Sequence, residues 1–277
     1  MISPRLLTLL MATGVLCSAP LSASAIAVYS SSGPNAASIQ GSVEGFRADL
    51  GSNNGAGGTA ASGRREINWD GVPATFSDPN HLPGNFFNSN SARGAVFETP
   101  GTGFKVSANS GVAGTPERFG SINPSFPSSL SGFSSQKLFT AIDSNIVDVK
   151  FFVPGTTQAA NVRGFGSVFT DVDLSGPTTV EFFDMNNNLL SKQTVLNTPG
   201  ATSLSFLGVS LEQAIINRVR ITAGNAALSN LDGFDFVAMD DFIYGEPQAV
   251  PAPAAVLLFG SGLAALVWAR RRSLLPE

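Results

Sequence analysis

Apolar and polar residues alternate over short runs through the last two thirds of the chain, the period of two expected of half-buried strands. The pattern predicts strands over 94–99, 103–108, 146–153, 162–172, 178–184, 189–196, 203–209, 215–223 and 234–244. Within 178–184, Val180 and Phe182 face one side, Glu181 and Phe183 the other. Met185-Asn186-Asn187-Asn188 then reads as a hairpin loop, and Pro100-Gly101 as a turn. Earlier in the chain the period changes. Ile39, Val43, Phe46 and Leu50 recur at helical spacing, and Gly51 supplies a stop, which predicts one short amphipathic helix over about 37–50. Ser30 to Pro34 reads as a Ser/Gly-rich lead and 53–63 as a mobile Gly/Ala/Ser loop. Residues 66–92 read as irregular structure that packs Trp69, Phe86 and Phe87 onto the sheet.

Nine or more short strands with turn-rich joints predict an all-β fold, a two-sheet jelly-roll-like β-sandwich with one short N-terminal helix. No unit repeats at a fixed period, which argues against a solenoid or propeller. The expected division is a helix and irregular lead-in over 35–92 and the main sandwich over 93–246, together an ectodomain over 26–249.

Both ends carry a different pattern. Arg5, an apolar run from Leu6 to Cys17 and the small residues Ser22-Ala23-Ser24-Ala25 form the three-part pattern of a secretory signal peptide over 1–25. Ala23 and Ala25 fit a cleavage site before Ile26. At the other end, Val250-Pro251-Ala252-Pro253 precedes sixteen uncharged residues, Ala254 to Ala269, and then Arg270-Arg271-Arg272. A helix of that length covers roughly 24 Å of a ~30 Å hydrocarbon core, and snorkelling arginines with interfacial Trp268 make up the difference. The expectation is a transmembrane helix over 254–269, with the arginines cytoplasmic and everything before Pro251 outside.

The proline motif, the apolar helix containing Phe259-Gly260-Ser261-Gly262 and the closing arginines resemble the PEP-CTERM sorting signal, here over 250–277. That signal most often begins Val-Pro-Glu-Pro; Ala252 stands where the glutamate is commonest. The resemblance implies an exosortase-like membrane transpeptidase as partner and processing near the motif. It also implies export in a Gram-negative bacterium that makes an exopolysaccharide. The runs Phe165 to Leu174, Val180 to Asp184, Leu204 to Gly208, Val219 to Thr222 and Met239 to Tyr244 resemble the β-sandwich ectodomains of such proteins, and bring no catalytic residue set with them.

Composition narrows the chemistry. Residues 26–249 hold 12 basic and 19 acidic side chains, a net of −7, with no basic stripe, so nucleic acid is not an expected partner. Cys17, the one cysteine, lies in the signal peptide, which leaves the mature domain no disulfide or thiolate. His81, the one histidine, sits in a Pro-rich loop without a Gly-x-Ser-x-Gly elbow. Twenty-one Phe against two Trp and two Tyr predict a Phe-packed interior rather than a sugar-stacking face. These features point to a non-catalytic surface protein. A carbohydrate- or calcium-binding module is the alternative, marked by a solvent-exposed Trp69 or Tyr244 beside a polar groove. A secreted glycosidase, built on Glu181 and the Asp residues, ranks third. No cofactor is expected except calcium, for which Asp171 and Asp173 on one strand face and Asp240 and Asp241 at a strand end are the candidates, with Asp232 and Asp235 beside them.

Overall fold

The computed structural model describes residues 25–231 and 233–250. Strand β1 (Ile26–Gly33) leads into helix α1 (Ala36–Leu50), and β2 (Arg64–Ile67), β3 (Ala95–Glu98), β4 (Gly103–Val106) and β5 (Phe139–Ile142) follow. Next come β6 (Ile146–Phe151), β7 (Ala160–Asn161), β8 (Gly164–Thr170), β9 (Thr179–Phe183) and β10 (Leu189–Thr194). The chain continues through β11 (Leu204–Leu211), β12 (Arg218–Thr222), β13 (Ala238–Gly245) and β14 (Gln248–Ala249).

Twelve of the strands form two antiparallel sheets stacked as a sandwich, and β7 pairs with β14 as a separate two-stranded ribbon. One has seven strands in the order β1-β11-β8-β13-β5-β4, with β2 also paired to β13; the other has five, in the order β10-β9-β12-β6-β3. Alternation decides what lies between them. Val180 and Phe182 of β9, Val219 and Ile221 of β12, Phe165 and Phe169 of β8 and Phe242 and Tyr244 of β13 all enter one core. Trp69 sits in the middle of it, stacked on Phe139 at 4.1 Å and 1° between planes and edge-on to Phe242. Fully burying each such side chain contributes about 1.5–3 kcal/mol.

Helix α1 makes a third layer. Asn35 caps it by accepting from Ser38 N at 3.3 Å, and Gly51 ends it at φ 95°, a conformation that glycine adopts without strain. Ile39, Val43, Phe46 and Leu50 bury against Val168, Leu204, Phe206 and Ile243 on the outer face of the seven-stranded sheet. Gly166 and Gly208 face each other across β8 and β11, and the Phe46 ring lies on both.

Five strands lie where the alternation did not indicate them: β1, β2, β5 and the short pair β7 and β14. Residues 30–33 of the expected lead at 30–34 belong to β1, which pairs with β11 along its full length. Strand β2 begins two residues before the expected irregular segment and runs into it, with Arg65 pointing inward, and β5 lies where no element is predicted. Within the expected lead-in over 35–92, β2 pairs with β13 and so joins the large sheet. The 53–63 loop is held rather than free: Arg65 donates to the carbonyls of Gly55, Gly57 and Gly58 at 3.1, 3.1 and 2.9 Å.

Among the described residues no helix is long and apolar enough to cross a membrane. The expected spanning helix over 254–269, Pro251, Ala252, Pro253, Arg270, Arg271, Arg272 and Ala23 lie outside the described residues.

Candidate functional site

The first cluster of carboxylates gathers where β8 ends. Asp171 follows Thr170 directly and adopts φ 66°, so the extended alternation stops there and Asp171 and Asp173 do not share a strand face as expected. Asp235 comes in from the connection before β13 instead. It is only 3% exposed; its Oδ1 accepts from Asp173 N at 3.0 Å, while its Oδ2 is buried without a partner. Asp171 Oδ1 is likewise buried and unpartnered, and Asp173 Oδ1 accepts from Gly200 N at 2.8 Å. Burial, followed by the charges of Asp173 and Asp235, pushes the Asp171 carboxyl up to about 7. Burial also raises Asp235. Asp171 and Asp173 line a cavity of about 220 Å³ with Asn123, Ser125, Leu231 and Phe234. Such a cluster favours a proton or a hard cation, the two species that relieve confined negative charge. Among the described residues, no group of three or more His, Cys, Asp or Glu side chains is arranged to hold a metal ion. Asp232 lies outside the described residues.

Asp240 and Asp241 are elsewhere and otherwise engaged. They lie inside β13, not at its end, at a register shift where Met239 opposes Phe169 and Phe242 opposes Ser167. Two residues therefore oppose Val168 alone, a β-bulge, and both carboxylates emerge on the α1 side of the sheet. Asp240 Oδ2 accepts from Phe133 N at 2.6 Å and Ser134 N at 3.1 Å, anchoring that loop. Asp241 pairs with Arg47 of α1 at 3.1 Å, and Arg47 also pairs with Glu66 of β2 at 2.8 Å. Burial holds both carboxyls above the usual range, Asp240 furthest. The four expected calcium ligands thus fall into two separate groups, and the second ties helix, sheet and loop together.

Glu181 lies in a row of charges on the outward face of the five-stranded sheet. Registered across the strands are Lys192, Glu181, Arg220, Asp148 and Glu98. Lys192 reaches Glu181 at 3.2 Å; Arg220 and Arg218 reach Asp148 at 2.7 and 2.8 Å. A guanidinium stands between Glu181 and Asp148, which suits a cross-strand ladder rather than an acid–base pair. His81 is exposed in its loop. Trp69 and Tyr244, the expected markers of a sugar platform, are 1% and 0% exposed, so neither can offer a stacking face.

Sequence reasoning did not find the pairs Arg65–Glu246 and Arg47–Asp241. A charged residue at an inward strand position was the available signal, but it became readable only with β2 in place.

Comparisons with protein-family models, with curated proteins and with solved structures find no match to this chain.

Proposed function

We propose that the chain is an exported, non-catalytic protein of the cell surface or extracellular matrix, associated with exopolysaccharide and delivered to an exosortase-like transpeptidase by its C-terminal sorting signal. One coincidence carries the reading: the first and last described strands meet the expected limits of the signals. The first strand begins at Ile26, the residue after the expected cleavage at Ala25. The last strand ends at Ala249, and Val250 N donates to Ala159 O at 3.3 Å directly before Pro251. The jelly-roll-like description belongs to the same reading, supported by a chain that passes from one sheet to the other at β2–β3, β3–β4, β5–β6, β6 through β7 to β8, β8–β9, β10–β11, β11–β12 and β12–β13. Intact-mass and terminal-peptide analysis of the protein from its host tests the proposal. An N-terminus at Ile26 and a C-terminus trimmed near Pro253 support it; Met1 and Glu277 both retained refute it.

A second reading, a calcium-stabilised envelope module, is favoured by the unpartnered oxygens of Asp171 and Asp235 beside Asp173. Millimolar calcium then raises the thermal midpoint of the wild-type chain and leaves that of Asp235→Asn unmoved. An equal midpoint with calcium and with chelator removes this reading.

A further inference from the structure

Away from the carboxylates, a cavity of about 290 Å³ opens between the turn after β2 and the segment before β3. Its walls include Asn68, Trp69, Phe87, Asn90, Ser91 and Arg93. Two of these side chains carry donors that the fold leaves unused. Trp69 Nε1–H is buried without an acceptor although the residue is only 1% exposed. Arg93 Nε–H is also buried without an acceptor. The Arg93 guanidinium touches Ser91 Oγ and lies 5.7 Å over the Phe87 ring, and among the described residues it has no carboxylate partner. In this it differs from nearby Arg65, whose charge is fully met by Glu246. A half-buried guanidinium without a counter-ion is costly, and an unpaired buried indole N–H adds to that cost.

Both groups are held in position. Trp69 occupies φ 65° within a tight turn, where Val72 N donates to Trp69 O at 2.9 Å. Asp70 beside it accepts from Gln136 N at 2.8 Å and Lys137 N at 3.0 Å. Arg93 N donates to Phe87 O at 2.8 Å, and the Tyr244 hydroxyl donates to Arg93 O at 3.1 Å. Burial draws the Arg93 guanidinium down from its ordinary range; Tyr244 works against this and the charge of Arg65 adds to it.

We propose that this cavity binds a small carboxylate, with Arg93 as the charged receptor and Trp69 Nε1–H as a second donor. The guanidinium fork matches a carboxylate in two parallel hydrogen bonds. The volume lies at the small end of the ~300–1,000 Å³ typical of ligand sites, which suits one acidic sugar ring or a simple organic acid rather than a length of polymer. Asn68 and Asn90 on the rim supply amides for hydroxyl groups. The inference does not depend on how the chain is exported.

The test follows the two tryptophan indole N–H resonances of the ¹⁵N-labelled full chain in detergent, with D-glucuronate, acetate and D-glucose as probes. Trp69→Phe identifies the resonance of Trp69. The expected result is a saturable shift of that resonance with glucuronate and acetate, midpoints below about 10 mM, and none with glucose. Tighter glucuronate binding assigns the site to an acidic sugar, and equal midpoints assign it to the carboxylate alone. Arg93→Gln abolishes the shift. Should that variant fail to fold, Arg93→Lys, which keeps the charge but loses the fork, raises the midpoint several-fold. No saturable shift in the wild type, an equal response to glucose, or an unchanged midpoint in Arg93→Lys overturns the proposal.

Discussion

Arg65 and Glu246 meet as a two-pronged ion pair, Nε to Oε2 at 2.8 Å and Nη2 to Oε1 at 2.7 Å, with both side chains 1% exposed. The pair joins β2 to the residue after β13, and its spare donors and acceptors hold the 53–63 loop. Glu246 accepts from Ala60 N at 3.1 Å and from Asn54 Nδ2 at 2.8 Å. Removing one partner leaves the other charge buried alone. Glu246→Ala and Arg65→Met should each lower unfolding stability by about 3–5 kcal/mol. The double variant should lose less than the sum of the two. Denaturant titration checks this, and strictly additive losses would contradict the pairing.

Asp171 gives the protein an unusual pH dependence. Its carboxyl is raised to about 7 in the fold, so between about pH 4 and pH 7 the folded state holds a proton that the unfolded chain has released. Stability should therefore fall as pH rises through that window and level off above it. Asp235, raised in the same cluster, acts in the same direction. Asp148 is buried, which pushes its carboxyl up, but Arg220 and Arg218 hold it below its ordinary range. Its contribution is lost only at more acid pH. Thermal midpoints in chelator at pH 5 and pH 8 test this: the wild type should melt lower at pH 8, and Asp171→Asn should narrow the difference. A midpoint that rises from pH 5 to pH 8 would contradict the assignment.

Phe46 rests in a notch that two glycines create. A Cβ on Gly166 would stand 2.9 Å from Gly208 Cα and 2.9 Å from Phe46 Cε1, and the first of these is backbone that cannot swing away. Gly166→Ala should cost about 1–3 kcal/mol by overpacking, and Phe46→Ala about 3–5 kcal/mol by emptying the site. Chemical denaturation of each variant measures both. A Gly166→Ala protein as stable as the wild type would show that the helix is not seated as described.

The sandwich was legible from residues whose burial follows a period. Ile39, Val43, Phe46 and Leu50 mark α1, and Val180 and Phe182 orient β9, because apolar spacing is set directly by backbone geometry. Strand β1 escaped notice because Ser30-Ser31-Ser32 resembles a linker, and only its pairing with β11 makes it a strand. The carboxylates were legible as candidates but not as neighbours. A bulge turned adjacent Asp240 and Asp241 to the same side, a left-handed residue broke the alternation at Asp171, and Asp235 arrived from 62 residues away. Trp69 was expected to pack on the sheet, yet it was also named as a sugar-stacking candidate. Its depth, under Phe87, Phe139 and Phe242, depends on contacts distant in sequence.

Export and anchoring are the centre of the account, and fractionation of host cells that lack the sorting transpeptidase, carrying either the full chain or one ending at Val250, tests them most directly. The full chain should sediment with membranes, and the shortened chain should be recovered outside the cell with Ile26 at its N-terminus. Recovery of either form from the cytosol with Met1 in place, or equal membrane retention of both, would contradict the account.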